Sequence, residues 1–243
     1  ESLERFDALY QSRTGRSILE ELGRGDEDSW LGRTEIAQPA LLAIQVALTD
    51  LWRSWGISPD AVVGHSVGEI AAAHAAGALS LEDAVRVSCE RGRAMARLAG
   101  RGGMAAVALG DADAAAIARQ APGRLSLAAV NGPESSVLSG ELGALEECLA
   151  TLAARGVATR RLDVGYAFHG PECEAIAGEL ERALAGLAPR APAIPIHSTS
   201  TGAPAGPEDF DASGWARGVA RPVLFAHAVD AFGPEYGVFL EIW

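Results

Sequence analysis

Residues Asp60 to His74 read Asp-Ala-Val-Val-Gly-His-Ser-Val-Gly-Glu-Ile-Ala-Ala-Ala-His, and no other stretch narrows the possible folds as far. Ala61 to Val63 form a short apolar run of strand type, and the Ala-rich run after Gly68 is of helix type. Between them, Gly64-His65-Ser66-Val67-Gly68 is a G-x-S-x-G nucleophile elbow in the strand–turn–helix setting that the motif needs. The two glycines keep Cβ atoms out of a sharp turn, which lifts the Ser66 hydroxyl at the tip of a strand. A helix beginning near Val67 aims free backbone N–H groups at that hydroxyl, where they stabilise an anion formed on a carbonyl that Ser66 attacks. The plainer alternative is a Gly-Ser turn that only starts a helix.

A serine nucleophile needs a base, and imidazole suits neutral pH. The candidates are His65, His74, His169, His197 and His227. His65 adjoins Ser66, so its side chain should diverge from it. His74 lies eight residues down the helix, and His197 and His227 fall in a strand and a helix as structural residues. His169 stands in a Gly- and Pro-flanked loop at an inferred junction of two lobes, where clefts form, and is the best single choice. Asp163 before His169, or Asp209 or Asp211 before His227, are the acids available for a triad. Neither arrangement makes a persuasive one.

The flanking pattern gives the architecture. Leu41, Leu42, Gln45, Leu48, Leu51 and Trp52 form a stripe on a helix opened by Pro39 in its first turn. Leu81 to Leu98 is a second helix, with Leu81, Val85, Ser88, Arg91/Gly92, Met95 and Leu98 inward. Arg91 thus falls on a buried stripe. It needs an anionic partner or a cavity, or else it snorkels or sits in an internal salt bridge. From Met104 to Val164 the order is β-α-β-β-α-β, a ferredoxin-like unit. A Pro-rich loop, a strand at Ile194–His197, helices over Trp215–Phe232 broken at Arg221-Pro222, and a last buried strand at Val238–Ile242 follow. The predicted fold is α/β. A large hydrolase-like lobe with a short parallel sheet (residues 1–102 and 166–243) carries an inserted small ferredoxin-like lobe (103–165).

The net charge of −12 argues against nucleic acid or an anionic membrane as partner. No lysine is present among the 20 basic residues, which excludes lysine chemistry. Cys89, Cys148 and Cys173 are odd in number and widely spaced. They read as core residues in a reducing compartment, with no disulfide frame and no metal site. No signal peptide or long apolar run is found, so a soluble, cytoplasmic protein is expected. The absence of an initiator methionine suggests a start inside a larger protein.

Together these stretches resemble the malonyl-CoA:acyl-carrier-protein transacylase family, in particular the acyltransferase domain of polyketide synthases, over almost the whole chain. The markers are Gln38-Pro39-Ala40, Gly64-His65-Ser66-Val67-Gly68-Glu69, Arg91, Gly103-Met104-Ala105-Ala106-Val107, Asn131-Gly132-Pro133, Tyr166-Ala167-Phe168-His169 and Phe239-Leu240-Glu241. The resemblance implies a ping-pong reaction. Ser66, deprotonated by His169, takes an acyl group from acyl-CoA, and the phosphopantetheine thiol of an acyl carrier protein then removes it. Arg91 would grip the free carboxylate of a malonyl-type unit, and the Val67 N–H would be one oxyanion donor. Gln38, His65, Tyr166, Phe168 and Asn131 would line the substrate site. No tightly bound cofactor or metal is implied.

The family's second oxyanion donor, a glutamine in an N-terminal Gly-Gln-Gly segment, has no counterpart in this sequence. A backbone carbonyl from the stretch matching Trp215–Pro222 orients the family's histidine. The usual Asn-Leu pair there is Gly218-Val219, and the usual Gly-Pro turn does not follow Ile242-Trp243. Tyr166-Ala167-Phe168-His169 is a hybrid of the family's methylmalonyl (Tyr-Ala-Ser-His) and malonyl (His-Ala-Phe-His) motifs. Phe168 should fill the space of an α-methyl, and Val67 also looks malonyl-type. Gly170, in place of the usual serine, is expected to enlarge the pocket. Malonyl is therefore expected over methylmalonyl or larger units, although one methyl is worth only about 1–3 kcal/mol. The alternatives are a serine esterase or thioesterase, or a non-catalytic docking domain. Implied partners are an acyl carrier protein and neighbouring ketosynthase and linker regions. The carrier should be acidic, so Arg155, Arg160 and Arg161 are candidates for a docking patch unless they are ordinary solvated charges.

Overall fold

A computed structural model describes residues 1–25 and 27–242. Helices α1 (Ser2–Thr14), α2 (Ile18–Leu22) and α3 (Thr34–Ser54) lead to strand β1 (Val62–Val63), which feeds the elbow and helix α4 (Gly68–Ala75). Helix α5 (Leu81–Ala96) follows, begun by Ser80, whose hydroxyl accepts the Asp83 N–H at 3.0 Å. Strand β2 (Gly103–Val107), helix α6 (Asp111–Ala118), strands β3 (Leu125–Gly132) and β4 (Ser135–Gly140), helix α7 (Leu142–Ala154) and strand β5 (Thr159–Arg161) come next. The chain continues through helix α8 (Glu174–Ala183), strands β6 (Ile196–Ser198) and β7 (Ala203–Pro204), and helices α9 (Ala212–Gly218) and α10 (Phe225–Asp230).

These strands form two sheets. In the first, β1 runs parallel to β6, with Val62 opposite Ile196 and Val63 opposite His197, and β7 is antiparallel to β6. In the second, the order β3-β4-β2-β5, all antiparallel, is that of the ferredoxin-like unit read from the sequence. Helices α6 and α7 cover one face of it through Ala105, Val107, Leu125, Leu138, Leu145 and Leu152. The main core joins α1 to α5 with α8, α9 and β6, and includes residues from both flanks of the small lobe. All three cysteines are free and buried. No described helix is long and apolar enough to cross a membrane.

Three sequence expectations are corrected. Pro39 does not open its helix: α3 begins five residues earlier, with Arg33 at its N-cap and no capping side chain to announce it. The hydrogen bond that Pro39 cannot donate would go to Glu35, and there α5 crosses so closely that a Cβ on Gly92 would lie 2.9 Å from the Glu35 Cα. That crossing also turns the buried stripe of α3 to Ile36, Gln38, Ala40, Leu42, Ala43 and Val46, leaving Leu51 exposed. Val238–Ile242 forms no strand. Val238, Phe239 and Leu240 are 89%, 63% and 50% exposed, because no strand among the described residues pairs with them. Trp243, which follows that segment, lies outside the described residues.

Candidate active site

The elbow forms because its backbone is forced together. A Cβ on Gly64 would lie 2.3 Å from the Gly68 carbonyl carbon and 2.4 Å from the Glu69 nitrogen, so only glycine fits. Gly68 itself has room, with nothing nearer its Cβ position than the Gln45 side chain at 3.7 Å. Ser66 takes φ 54°, a strained value for a non-glycine residue, and His169 takes φ 58°. These are the two non-glycine residues with positive φ among those described.

The two meet. Ser66 Oγ lies 2.8 Å from His169 Nε2, and His169 Nδ1 lies 2.8 Å from the Arg221 carbonyl. A carbonyl only accepts, so Nδ1 carries the proton and Nε2 is free to take one from Ser66. Among the described residues, no acid fills the third place. Asp163 is exposed, Asp209 accepts the Gly206 N–H, and Asp211 caps α9. The orienting carbonyl does come from the Trp215–Pro222 stretch: that of Arg221 lies at hydrogen-bond distance, and that of Gly218 contributes less. Burial, and then the Arg91 cation, push the His169 pKa down to about 3, so the resting imidazole is neutral.

Arg91 is buried on α5, as its stripe position required, and donates to Ser66 Oγ at 3.0 Å and to Gln38 Oε1 at 2.7 Å. Gln38 is held in turn by the Thr34 hydroxyl, to which it donates at 2.9 Å. Both partners of the guanidinium are neutral, and Glu69 acts on it only through space. Burial lowers its pKa to about 10, which leaves it a cation at neutral pH. Glu69, also buried, accepts from the Ser198 hydroxyl (2.8 Å), the Thr199 N–H (2.7 Å) and the Ser200 hydroxyl (3.2 Å), tying α4 to the end of β6. The sequence reading missed this role, although Glu69 in the first turn of an elbow helix is its visible signal. The hollow beside Ser66 is narrow, about 10 Å³ or room for one water, and is lined by Arg91, His169, Glu69, Ser200, Trp215 and Val223 among others.

The remaining candidates sit as follows. The Val67 N–H heads α4 and makes no hydrogen bond among the described residues. His65 Nε2 lies 2.8 Å from Asn131 Oδ1, so these two bridge the lobes. Tyr166 and Phe168 stack at 4.7 Å and pack against the main core; neither lines the hollow. The room left by Gly170 does not enlarge the hollow, because a Cβ there would face Glu172 Oε2, Ser139 Oγ and Ser126 Oγ at 3.0–3.5 Å. His74 bonds the Leu79 carbonyl, His197 stacks on Phe232, and His227 pairs with Asp111. None of the three reaches Ser66. Arg155, Arg160 and Arg161 are exposed, with Arg161 paired to Glu146 at 3.2 Å.

Comparison with known proteins agrees with this geometry. The chain matches the acyl transferase domain family over residues 1–243. It is 48% identical over 227 residues to the spectinabilin polyketide synthase system protein NorA' of Streptomyces orinoci, covering 93% of this chain and 6% of that protein. To erythronolide synthase EryA2 of Saccharopolyspora erythraea it is 46% identical over 213 residues, 87% of this chain and 6% of the relative. The chain therefore spans only a small part of these relatives. Among solved structures, the acyltransferase domain from module 8 of the salinomycin polyketide synthase superposes with a TM-score of 0.91 at 42% identity, covering 94% of this chain and 54% of that one. The acyltransferase domain of SpnD in complex with 2-(pent-4-yn-1-yl)malonyl does so at 0.84 and 31%, covering 95% of this chain and 54% of that one. With an elbow serine, its imidazole and a buried guanidinium in one hollow, the chain belongs to the acyl transferase domain family, in its polyketide synthase branch.

Proposed function

We propose that the chain carries a malonyl-type unit from coenzyme A to the phosphopantetheine thiol of an acyl carrier protein through an ester on Ser66. The Ser66 oxygen adds to the thioester carbonyl while its proton passes to His169 Nε2. The Val67 N–H donates to the resulting oxyanion. Collapse breaks the C–S bond, and the coenzyme A sulfur leaves with the proton from His169. The carrier's thiol then repeats the sequence in reverse, giving the acyl thioester and restoring Ser66. Coenzyme A and the pantetheine arm are substrates, and no resident cofactor enters.

The observation that carries this reading is Arg91, a buried cation whose hydrogen bonds go only to neutral groups, 3.0 Å from the nucleophile. A carboxylate supplies the missing anion and accepts both nitrogens of the fork. It has a second effect. Arg91 is one of the causes of the low His169 pKa, so an anion that neutralises it makes the base stronger just when Ser66 must lose its proton. Acyl groups without a carboxylate forgo that gain. The neighbour whose structure contains a substituted malonyl group supports the same substrate class. The preference for malonyl over methylmalonyl rests on the sequence motif, in which Phe168 stands before the base where methylmalonyl-type members have serine, since Phe168 packs against the main core and does not line the hollow.

Incubation with malonyl-CoA followed by intact-mass measurement tests the proposal. The expected result is a gain of about 86 Da, as acyl-serine chemistry requires, absent in Ser66→Ala. Arg91→Ala should lower malonyl loading by about 100-fold or more. A plain esterase or thioesterase has no use for Arg91, and its rate would not change. No adduct with any acyl-CoA would favour a docking domain. Competition among malonyl-, methylmalonyl- and larger acyl-CoAs reads the extender preference.

A further inference from the structure

The segment that orients His169 is anchored in both lobes. Strand β3 lies at the edge of the four-stranded sheet, and two of its outward backbone groups, flanking Ala129, are taken by Val223. The Val130 N–H donates to the Val223 carbonyl at 2.8 Å, and the Val223 N–H donates to the Ala128 carbonyl at 2.9 Å. The face of that sheet not covered by α6 and α7 is closed by Val223 and Phe225, packed on Ala129, Val137, Met104 and Leu162. One residue on, the Leu224 N–H donates to the Thr199 carbonyl at 2.6 Å, and Thr199 is bound by Glu69 of the elbow helix and donates to the Gly64 carbonyl. Arg221, whose carbonyl holds His169 Nδ1, is separated from these anchors by Pro222 alone, a residue with a fixed φ.

This strap matters because Ser66 cannot choose the tautomer of His169. A hydroxyl donates or accepts, so it pairs equally well with a bare or a protonated Nε2. Backbone carbonyls make the choice, that of Arg221 at 2.8 Å first and that of Gly218 as a lesser acceptor, and the Arg221 side lies two residues from hydrogen bonds to the small-lobe edge strand. We propose that Arg221–Leu224 is a positioning element of the reaction, through which the ferredoxin-like lobe holds His169 in the Nδ1–H tautomer and in line with Ser66. The proposal rests on the acyl-transfer reading for its kinetic consequence, but its effect on the imidazole is independent of any substrate.

Two substitutions in the full chain test it. Val130→Pro removes one strap hydrogen bond at an outward position of an edge strand, where proline is tolerated. Pro222→Gly loosens the strap and removes no hydrogen bond. Two-bond proton–nitrogen spectra of the five histidines, with His169 assigned from His169→Gln, should show a single Nδ1–H form in the wild type. Each variant should show a mixture with the Nε2–H form. Loading of Ser66 by malonyl-CoA should fall by about 10- to 100-fold in the maximal rate with little change in the half-saturating concentration, as misplacement of a reacting group predicts. Val223→Ala, which keeps both backbone bonds, should lose much less than Val223→Pro. A folded Val130→Pro or Pro222→Gly protein with an unaltered His169 tautomer and a loading rate within about twofold of wild type would overturn the proposal; where Val130→Pro does not fold, Pro222→Gly decides. A wild-type protein that gains no acyl group while its His169 tautomer still follows the strap would sink the transfer reading and leave the strap standing.

Discussion

At the scale of single residues, the two strained backbones fall on the two groups that exchange the proton. Ser66 and His169 both hold positive φ, which costs about 1–3 kcal/mol each and persists only where surrounding structure enforces it. Gly64 does part of that enforcing, through an approach to Gly68 and Glu69 that leaves no volume for a methyl group. The two glycines of the elbow, equivalent in the motif, are therefore not equivalent in the molecule. Gly64→Ala should unfold the elbow or cost several kcal/mol, visible as a lowered thermal midpoint, since overpacking here meets main chain that cannot rotate aside. Gly68→Ala, at the start of α4, should be neutral or stabilise by up to about 1 kcal/mol, because its Cβ meets only a side chain at van der Waals distance and alanine favours the helix. Equal losses from the two substitutions would contradict the packing described for the turn.

Among the elements, the elbow helix is fixed to the sheet by a carboxylate. Glu69 collects hydrogen bonds from Ser198, Thr199 and Ser200, so α4 and β6 are joined where Ser66 has to be held still. Glu69→Ala leaves the buried Thr199 N–H and Ser198 hydroxyl without an acceptor. It should cost about 1–3 kcal/mol in denaturant unfolding, and more than Glu69→Gln, which retains one carbonyl oxygen. The elements themselves differ in how far the sequence revealed them. The β-α-β-β-α-β unit was readable because each piece completes its own period between clear turns, such as Asn131-Gly132-Pro133. The start of α3 was not, since Arg33 offers no cap and Pro39 imitates a first turn. Val238–Ile242 has strand composition, yet a strand exists only with a neighbour, and composition does not supply one. Ser66, His169 and Arg91 were legible from motif, loop and stripe. The resemblance implied an orienting carbonyl within Trp215–Pro222 but not that Arg221 supplies it, because a backbone atom leaves no mark in a sequence, and the Glu69 tether was not legible because a lone glutamate reads as surface.

The molecule as a whole places its reactive groups where two lobes and a returning strap converge, and the burial needed there has a consequence for global stability. His169 takes a proton near 6.5 in an unfolded chain and only near 3 in the folded one. Between those values the unfolded state binds more protons. Stability from this group is therefore complete above about pH 6.5 and falls as the pH drops toward 3, by up to about 1.4 kcal/mol per unit. Glu69 acts with the opposite sign: its raised pKa makes its contribution largest below 4.5 and smaller as the pH rises. A single unfolding curve mixes the two, so the difference between wild type and His169→Gln isolates the imidazole. Between pH 7 and pH 5, wild type should lose about 2 kcal/mol more than the variant in urea unfolding. Parallel losses would mean that the imidazole is hydrated in the folded protein, against its burial beside Ser66 and Arg91.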